Sequence, residues 1–329
     1  MTVIDSHTGG EPFRVVVGNG PLIQGGSMLE RRRFAQEHFD DLRRALMWEP
    51  RGHADMYGAL IGPPVSPDSD ISVLFLHNEG FSTMCGHGII ALTKVVLDTG
   101  ILPSAAGETT IRIDTPAGQI EATATMGDRR ATAVRFRNVA SFAVDLDNEV
   151  EVDGMGGVRY DLAFGGAFYA YVDVGQVGLT LSRRDMTGLI AAGRAIKKAV
   201  VESRAVSHPL QTELGFLYGV IFVGPAEDSR HHSRNVCVFA DGEVDRSPTG
   251  TGVSGRLAIH HARGQIEIDE EITVESIVGS VFTGRIVAIT EVGGIPAVIP
   301  EVAGVAYMTG RSEHWLDPED DVGAGFLLR

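Results

Sequence analysis

Two stretches of this chain repeat one order of apolar and polar patterning. In the first, Gly9-Gly10 precede the strand-like run FRVVVG. A helix is predicted next, with Ser27 as N-cap and Glu30 as its capping-box partner. Phe34, His38, Phe39, Leu42 and Leu46 recur along it at helical spacing. The apolar run ISVLFLH predicts a buried strand, Cys85-Gly86-His87-Gly88 opens a helix near residues 87–98, and TTIRID and GQIEATA pair around the turn TPAG. The second stretch runs in the same order. Gly165-Gly166 precede AFYAYVDV, and Ser182 and Asp185 cap a helix bearing Met186, Leu189, Ile190, Ile196 and Val200. Strands GVIFVG and NVCVFA follow, then Thr249-Gly250-Thr251-Gly252 opens a helix to about His261, and EITVES and GRIVAI close the unit. The ordered match predicts an α/β chain of two similar halves. The first domain is expected at 1–138 plus 300–329, carrying Cys85; the second is expected at 139–299, carrying Thr249. Two unrelated domains with a chance likeness in glycine placement would not reproduce the whole series.

Composition narrows the partners. With 43% apolar and 22% charged residues, the 329-residue chain reads as an ordinary globular protein. A net charge of -15 argues against a nucleic-acid surface and against an anionic membrane. No apolar run approaches the ~20 residues of a bilayer span, and the start MTVIDSHTGGEP lacks the features of a signal peptide. The two cysteines, Cys85 and Cys237, make neither a disulfide framework nor a structural zinc site, and a cytoplasmic location is expected. Cys237 alternates with Val236 and Val238 in an apparent strand and reads as packing. His231-His232 and His260-His261 have no Cys or carboxylate at ligand spacing, and adjacent strand residues point apart, so no metal is expected.

The chemistry concentrates at the two Gly-x-Gly elements. Gly86 and Gly88 leave the backbone amides around His87 open at a helix N-terminus, where a carboxylate or phosphate binds. A Cys placed there should have its thiol pKa lowered below the free value of ~8.5. A buried structural thiol is the plainer alternative for Cys85, but the polar neighbours Ser82, Thr83 and His87 argue against an apolar core. The second element, DRSPTGTG, offers another cradle through Gly250, Thr251 and Gly252, with Thr249 in place of a thiol. If the halves face each other, a small carboxylate held between two helix mouths could lose its α-proton to a base, with fixed donors stabilising the charge that develops.

IDSHTGGEP, HNEGFSTMCGHG and DRSPTGTG resemble the proline racemase family across nearly the whole chain. The resemblance implies two pseudo-symmetric diaminopimelate-epimerase-like domains, each a mixed sheet wrapped around a central helix, with a cofactor-independent site in the cleft between them. Racemases and epimerases of this family carry Cys in both elements. Thr249 departs from that pattern and resembles the trans-3-hydroxy-L-proline dehydratase branch, which pairs Cys with Thr. The implied enzyme is a hydro-lyase of hydroxyproline degradation, yielding the Δ2 enamine and then Δ1-pyrroline-2-carboxylate, with 4-hydroxyproline 2-epimerase or proline racemase as the alternative.

Inversion needs a base or acid on each face of the α-carbon. A thiol serves near neutrality, whereas a Thr hydroxyl titrates far too high. In trans-3-hydroxy-L-proline the α-hydrogen and the 3-hydroxyl share a face, so one base can drive a syn loss of water. Asp245 resembles the family's contact to the ring nitrogen, with a helix-entry Asp as the plain alternative. His87 either meets the same nitrogen or caps its helix. Tyr57 and Phe239 resemble the apolar walls of the ring pocket, or are ordinary core aromatics. The matched residues His7, Gly9, Gly10 and Glu11 suggest no chemical step. The expected partner is a small hydroxyproline substrate, and a homodimer is an assembly the sequence leaves open.

Overall fold

The computed structural model describes residues 1–128 and 130–328, and the chain divides into two compact units. Unit 1 comprises Met1–Phe136 and Val305–Arg329, and unit 2 comprises Arg137–Gly304.

Unit 1 starts with an antiparallel hairpin, β1 (Thr2–Thr8) and β2 (Glu11–Gly18). Its two-residue turn is Gly9-Gly10, with φ of 60° and 94°. A turn with two positive φ angles is the form that matches strand twist, and glycine enters it without strain. After α1 (Met28–His38) and α2 (Asp40–Met47), β3 (Tyr57–Gly62) pairs parallel with β2, and β4 (Ile71–His77) pairs antiparallel with β3. The short β5 (Gly80–Ser82) leads into α3 (Gly86–Asp98). Strand β6 (Gly107–Thr115) returns parallel to β4 and pairs antiparallel with β7 (Gly118–Gly127), and β8 (Arg130–Arg137) ends the unit's first segment.

Unit 2 repeats these pairings. After β9 (Phe142–Val152), β10 (Gly156–Phe164) pairs antiparallel with β11 (Phe168–Asp173). The long α4 (Met186–Ser203) connects β11 to its parallel neighbour β12 (Leu217–Gly224), and β13 (Ser233–Phe239) lies antiparallel to β12. Strand β14 (Glu243–Asp245) leads into α5 (Gly250–Ala262). Then β15 (Ile272–Glu275) returns parallel to β13, followed by β16 (Val281–Val292) and β17 (Ile295–Gly304). The last strand, β18 (Ala306–Glu313), belongs to unit 1 and pairs antiparallel with β1.

In both units a 13-residue helix is the core. Every residue of α3 from Gly86 to Leu97 is buried, against β1, β2, β7 and β18. In α5 the buried run is Gly250–Ile259, against β9, β10, β11, β16 and β17. Lys94 survives inside α3 because its ammonium reaches Asp98 at 2.8 Å and the Ala131 carbonyl at 2.6 Å.

The capping box at Ser27 and Glu30 is present, with both reciprocal bonds formed. The apolar spacing from Phe34 to Leu46 does not belong to one helix, however. Phe39 leaves the helical region at φ −131° and ψ 21°, and α2 starts a new turn at Asp40. Ser182 and Asp185 also differ from expectation. Ser182 starts only a short 3₁₀ turn, and neither side chain caps a helix. The Asp185 carboxylate instead accepts from the Thr180 amide and hydroxyl, at 2.8 and 2.5 Å.

One carboxylate in each unit organises an equivalent loop. Asp114, at the end of β6, accepts from the Val65 and Ser66 amides at 2.7 and 2.8 Å. Glu275, at the end of β15, accepts from the Glu227 and Asp228 amides at 2.9 Å each. Glu275 also pairs with buried Arg234 at 2.7 Å and with His231 at 2.9 Å. Burial alone would raise the Glu275 pKa, but these amides, His231 and Arg234 together hold it at about 2. Its folded value lies below the ordinary 4.5, so its stabilisation is full above about pH 4.5 and lost as pH falls toward 2. Glu275→Gln should therefore lose about 3 kcal/mol near pH 7, the scale of breaking a buried ion pair. Urea unfolding measures the gap, which should narrow on acidification; a gap that stays constant to pH 2 would show that the carboxylate charge is not its source.

Candidate active site

The mouth of α3 is built by residues from across unit 1. Cys85 is its N-cap, extended at φ −147° and ψ 108°, and its Sγ accepts from the Gly88 amide at 3.2 Å. This is the role Ser, Thr or Asp usually takes. Gly88 is dictated by contact, since a Cβ there would lie 2.6 Å from the Phe13 ring and 2.9 Å from Cys85 Sγ. Both His87 ring nitrogens lie near Sγ, at 3.3 and 3.4 Å. Thr8 donates its hydroxyl to the His87 carbonyl at 2.9 Å. The His87 ring meets Tyr57 edge-on at 4.9 Å, and the Tyr57 hydroxyl donates to Ser82 at 2.5 Å. The strand end before the mouth is held from behind: Arg43 donates to the His77 and Asn78 carbonyls, and the Asn78 amide donates to the Met47 and His53 carbonyls at 2.8 and 3.1 Å.

Cys85 is 4% exposed, and Ser82, Thr83 and His87 are buried with it. The polar neighbours make a polar interior around the thiol, not an apolar core. A helix N-terminus and a donated amide hydrogen bond both favour the thiolate. His87 lies within the first turn, so the helix cap is Cys85 and not His87.

The mouth of α5 occupies the corresponding place in unit 2 and differs at the cap. Thr249 has φ 65° and ψ 95° and makes no side-chain cap bond. A β-branched residue at positive φ is a true outlier. Its Oγ1 is buried and makes no hydrogen bond to any described residue. Asp245 Oδ1 accepts from the Ser247 amide at 2.7 Å, and Ser247 Oγ accepts from the Thr249 amide at 3.1 Å. Asp245 therefore sits on β14 and shapes the turn into the helix, buried at 4% exposure. Gly165 lets the first turn of α5 approach, because a Cβ there would lie 2.2 Å from the Thr251 carbonyl oxygen. Gly250 and Thr251 form that first turn, with Thr251 Oγ1 bonded to the Tyr169 hydroxyl at 2.8 Å. Phe239 stacks on Tyr218 at 5.3 Å. Cys237 lies on β13, opposite Asp245 on β14, and is 1% exposed.

The sequence reading did not single out Thr8 or Ser247. Ser247-Pro248 ahead of Thr-Gly was the available signal, since a Ser-Pro pair marks a turn entry. Thr8 leaves no local signal, because its partner is 79 residues away. No group of three or more His, Cys, Asp or Glu side chains fit to hold a metal occurs among the described residues. Nor is any described helix long and apolar enough to cross a membrane.

This pair of buried helices, each opened at its N-terminus by a Gly-x-Gly element, defines a diaminopimelate-epimerase-like chain. A family model described as proline racemase matches residues 3–327. The protein named trans-3-hydroxy-L-proline dehydratase from Colwellia psychrerythraea is 48% identical, over 99% of this chain and 92% of its own. A 3-hydroxyproline 2-epimerase from Burkholderia multivorans is 44% identical, over 100% and 98%. The crystal structure of a hydroxyproline epimerase from Agrobacterium vitis, with bound trans-4-hydroxy-L-proline, superposes with a TM-score of 0.96 at 32% identity, covering 100% of this chain and 94% of that one. The chain belongs to the proline racemase family.

Thr249 carries both backbone strain and an unpaired buried hydroxyl. Such features cost on the order of 1–3 kcal/mol each and gather at functional sites. Thr249→Gly should remove both and, after the extra entropy of a glycine in the unfolded chain, gain about 1 kcal/mol. A urea midpoint lower than that of the native chain would mean that Thr249 is relaxed where it stands.

Proposed function

We propose that this chain is a cofactor-independent trans-3-hydroxy-L-proline dehydratase in which Cys85 removes the α-proton. The observation that carries the reading is the difference between the two helix caps. One holds a thiol bonded by a helix amide and flanked by His87; the other holds a hydroxyl without a useful pKa. Relatives of both names, dehydratase and epimerase, are similar to this chain, so overall likeness does not choose between the two reactions. The residue at 249 favours the dehydratase.

The reaction needs an anion cradle, a base and a contact for the ring nitrogen. The substrate carboxylate takes the open amides, and its ammonium is met by Asp245. The Cys85 thiolate takes the α-hydrogen, the electron pair forms the C2–C3 double bond, and the C3–O bond breaks on the same face. The removed proton and departing hydroxide together make one water. The ring is left as the Δ2 enamine, which tautomerises to Δ1-pyrroline-2-carboxylate. Nothing in this sequence requires a metal or an organic cofactor. Thr249 Oγ1 is placed at a helix mouth with its hydrogen bonding unused, and it serves to hold substrate, not to move the α-proton.

Incubation with trans-3-hydroxy-L-proline, cis-3-hydroxy-L-proline, trans-4-hydroxy-L-proline and L-proline, scored separately for imine and for optical inversion, tests the reading. Imine should form from the trans-3-hydroxy compound and poorly from the cis isomer, whose leaving group lies on the other face. Inversion of the 4-hydroxy compound without imine from any substrate would establish the epimerase instead. Cys85→Ser should keep the fold and lose at least the ~10²-fold typical of a general base. Near-native turnover in that variant would remove Cys85 from the role.

Thr249→Cys adds a second thiol to the second helix mouth. It should gain measurable inversion of trans-4-hydroxy-L-proline while losing dehydration, followed by polarimetry and imine trapping in one sample. A variant that dehydrates as before and inverts nothing would show that residue 249 does not select the reaction.

A further inference from the structure

Unit 2 holds a cavity of about 330 Å³ beside the last two turns of α5. It is separate from the α5 mouth and contains none of the residues assigned above. Its buried feature is Arg256, 8% exposed. All the hydrogen bonds of this guanidinium run from one nitrogen, Nη1, to neutral acceptors: Ser233 Oγ at 2.6 Å and Asn235 Oδ1 at 2.9 Å. Among the described residues no carboxylate lies within ion-pair distance of it, and Nε and Nη2 make no hydrogen bond. The contrast with Arg234 in the same unit is plain, since Arg234 is bonded to both Glu275 and Glu227.

A buried charge is expensive unless it is paired. Burial pulls the Arg256 pKa down only to about 10, so the group stays charged at neutral pH. It therefore has a charge without a counter-charge, and it faces a cavity. The rest of the lining limits what can enter. Val223 and Ile259 supply apolar wall. At the rim, Asp147 and Asp161 are both bonded to Arg263, at 2.8 and 2.7 Å, and Asp173 adds a third carboxylate. Arg159 and Arg263 offset two of those acids, so that with Arg256 the lining carries no net positive charge; together with the carbonyl end of α5 this disfavours a polyanion. A single negative charge suits the site. His260 lines the same cavity, its Nδ1 held by Gln265 Oε1 at 2.9 Å.

We propose that this cavity is a second ligand site, for a small monocarboxylate whose acid group pairs with Arg256. The pairing would complete the coordination of the guanidinium, so the ligand should stabilise unit 2 as it binds.

Glycolate, a small monocarboxylate, is the probe. Crystals of the full chain soaked in glycolate should show it against Arg256, and in solution its binding should be saturable and raise the thermal midpoint. Arg256→Met, which keeps the bulk and removes the charge, should weaken glycolate at this position at least tenfold and leave the cavity empty in the soaked crystal. If Arg256→Met does not fold, Val223→Trp decides, because it fills the apolar wall and leaves every charge in place; it should abolish binding equally. Absence of glycolate from the cavity overturns the proposal, as does glycolate retained there by Arg256→Met or, where that variant does not fold, by Val223→Trp. Inorganic phosphate bound there as tightly as glycolate also overturns it.

Discussion

The structure depends on one constraint: in each unit a helix is buried over nearly all its length, yet its first turn must present backbone amides. A helix enclosed by sheet cannot solvate its N-terminal donors, so they must be met by side chains or by a ligand. Enclosure also demands small residues where the strands pass close. Gly88 against Phe13 and Gly252 against Ile221 are products of that crowding as much as of chemistry. The Gly-x-Gly signature is thus a packing requirement and an open donor set at once. Placing Cys85 at the cap uses the same geometry a third time, because the amide that caps the helix also polarises the thiol.

This double service explains what the sequence made readable. The two helix mouths were legible because their glycines answer local needs that few other residues meet. The capping box at Ser27 was legible for the same reason: it is a short-range bond pattern written within a few residues. The break at Phe39 was not, because the apolar spacing runs on through it while the backbone leaves the helical region there. Ser182 and Asp185 have cap chemistry, yet the Thr180 hydroxyl and amide compete for the Asp185 carboxylate and win.

The site itself was less legible than its motif. Polar neighbours of Cys85 argued against an apolar core but did not show that they would be buried with it; buried polar groups are tolerated when they satisfy one another, as Thr8, Ser82, Tyr57 and His87 do here. The positive φ of Thr249 could not be read at all. A Thr ahead of Gly-Thr-Gly looks like an ordinary N-cap, and only the backbone shows that its hydroxyl is turned away from the helix amides. The carboxylates Asp114 and Glu275 were equally hidden, since one of the two amides that each binds is 48 residues away. Their equivalence is nonetheless the best structural support for the internal repeat, because it joins two units through a bond pattern and not merely through an order of elements.

The repeat frames the chemical asymmetry. Two units with matching pairings and matching helices would offer two like caps, and a pair of thiols would serve a reaction that must treat both faces of a carbon alike. Replacing one cap by Thr keeps the helix, the glycines and the amide donors, and withdraws only the proton-transfer capacity. Thr249 does not take an ordinary cap geometry; it has a positive φ, and its hydroxyl makes no hydrogen bond to any described residue. A residue serving only as a helix cap would be expected in the extended geometry that Cys85 adopts at the other mouth. The two caps thus differ in backbone as well as in side chain, and that difference is what the proposed one-base reaction would use.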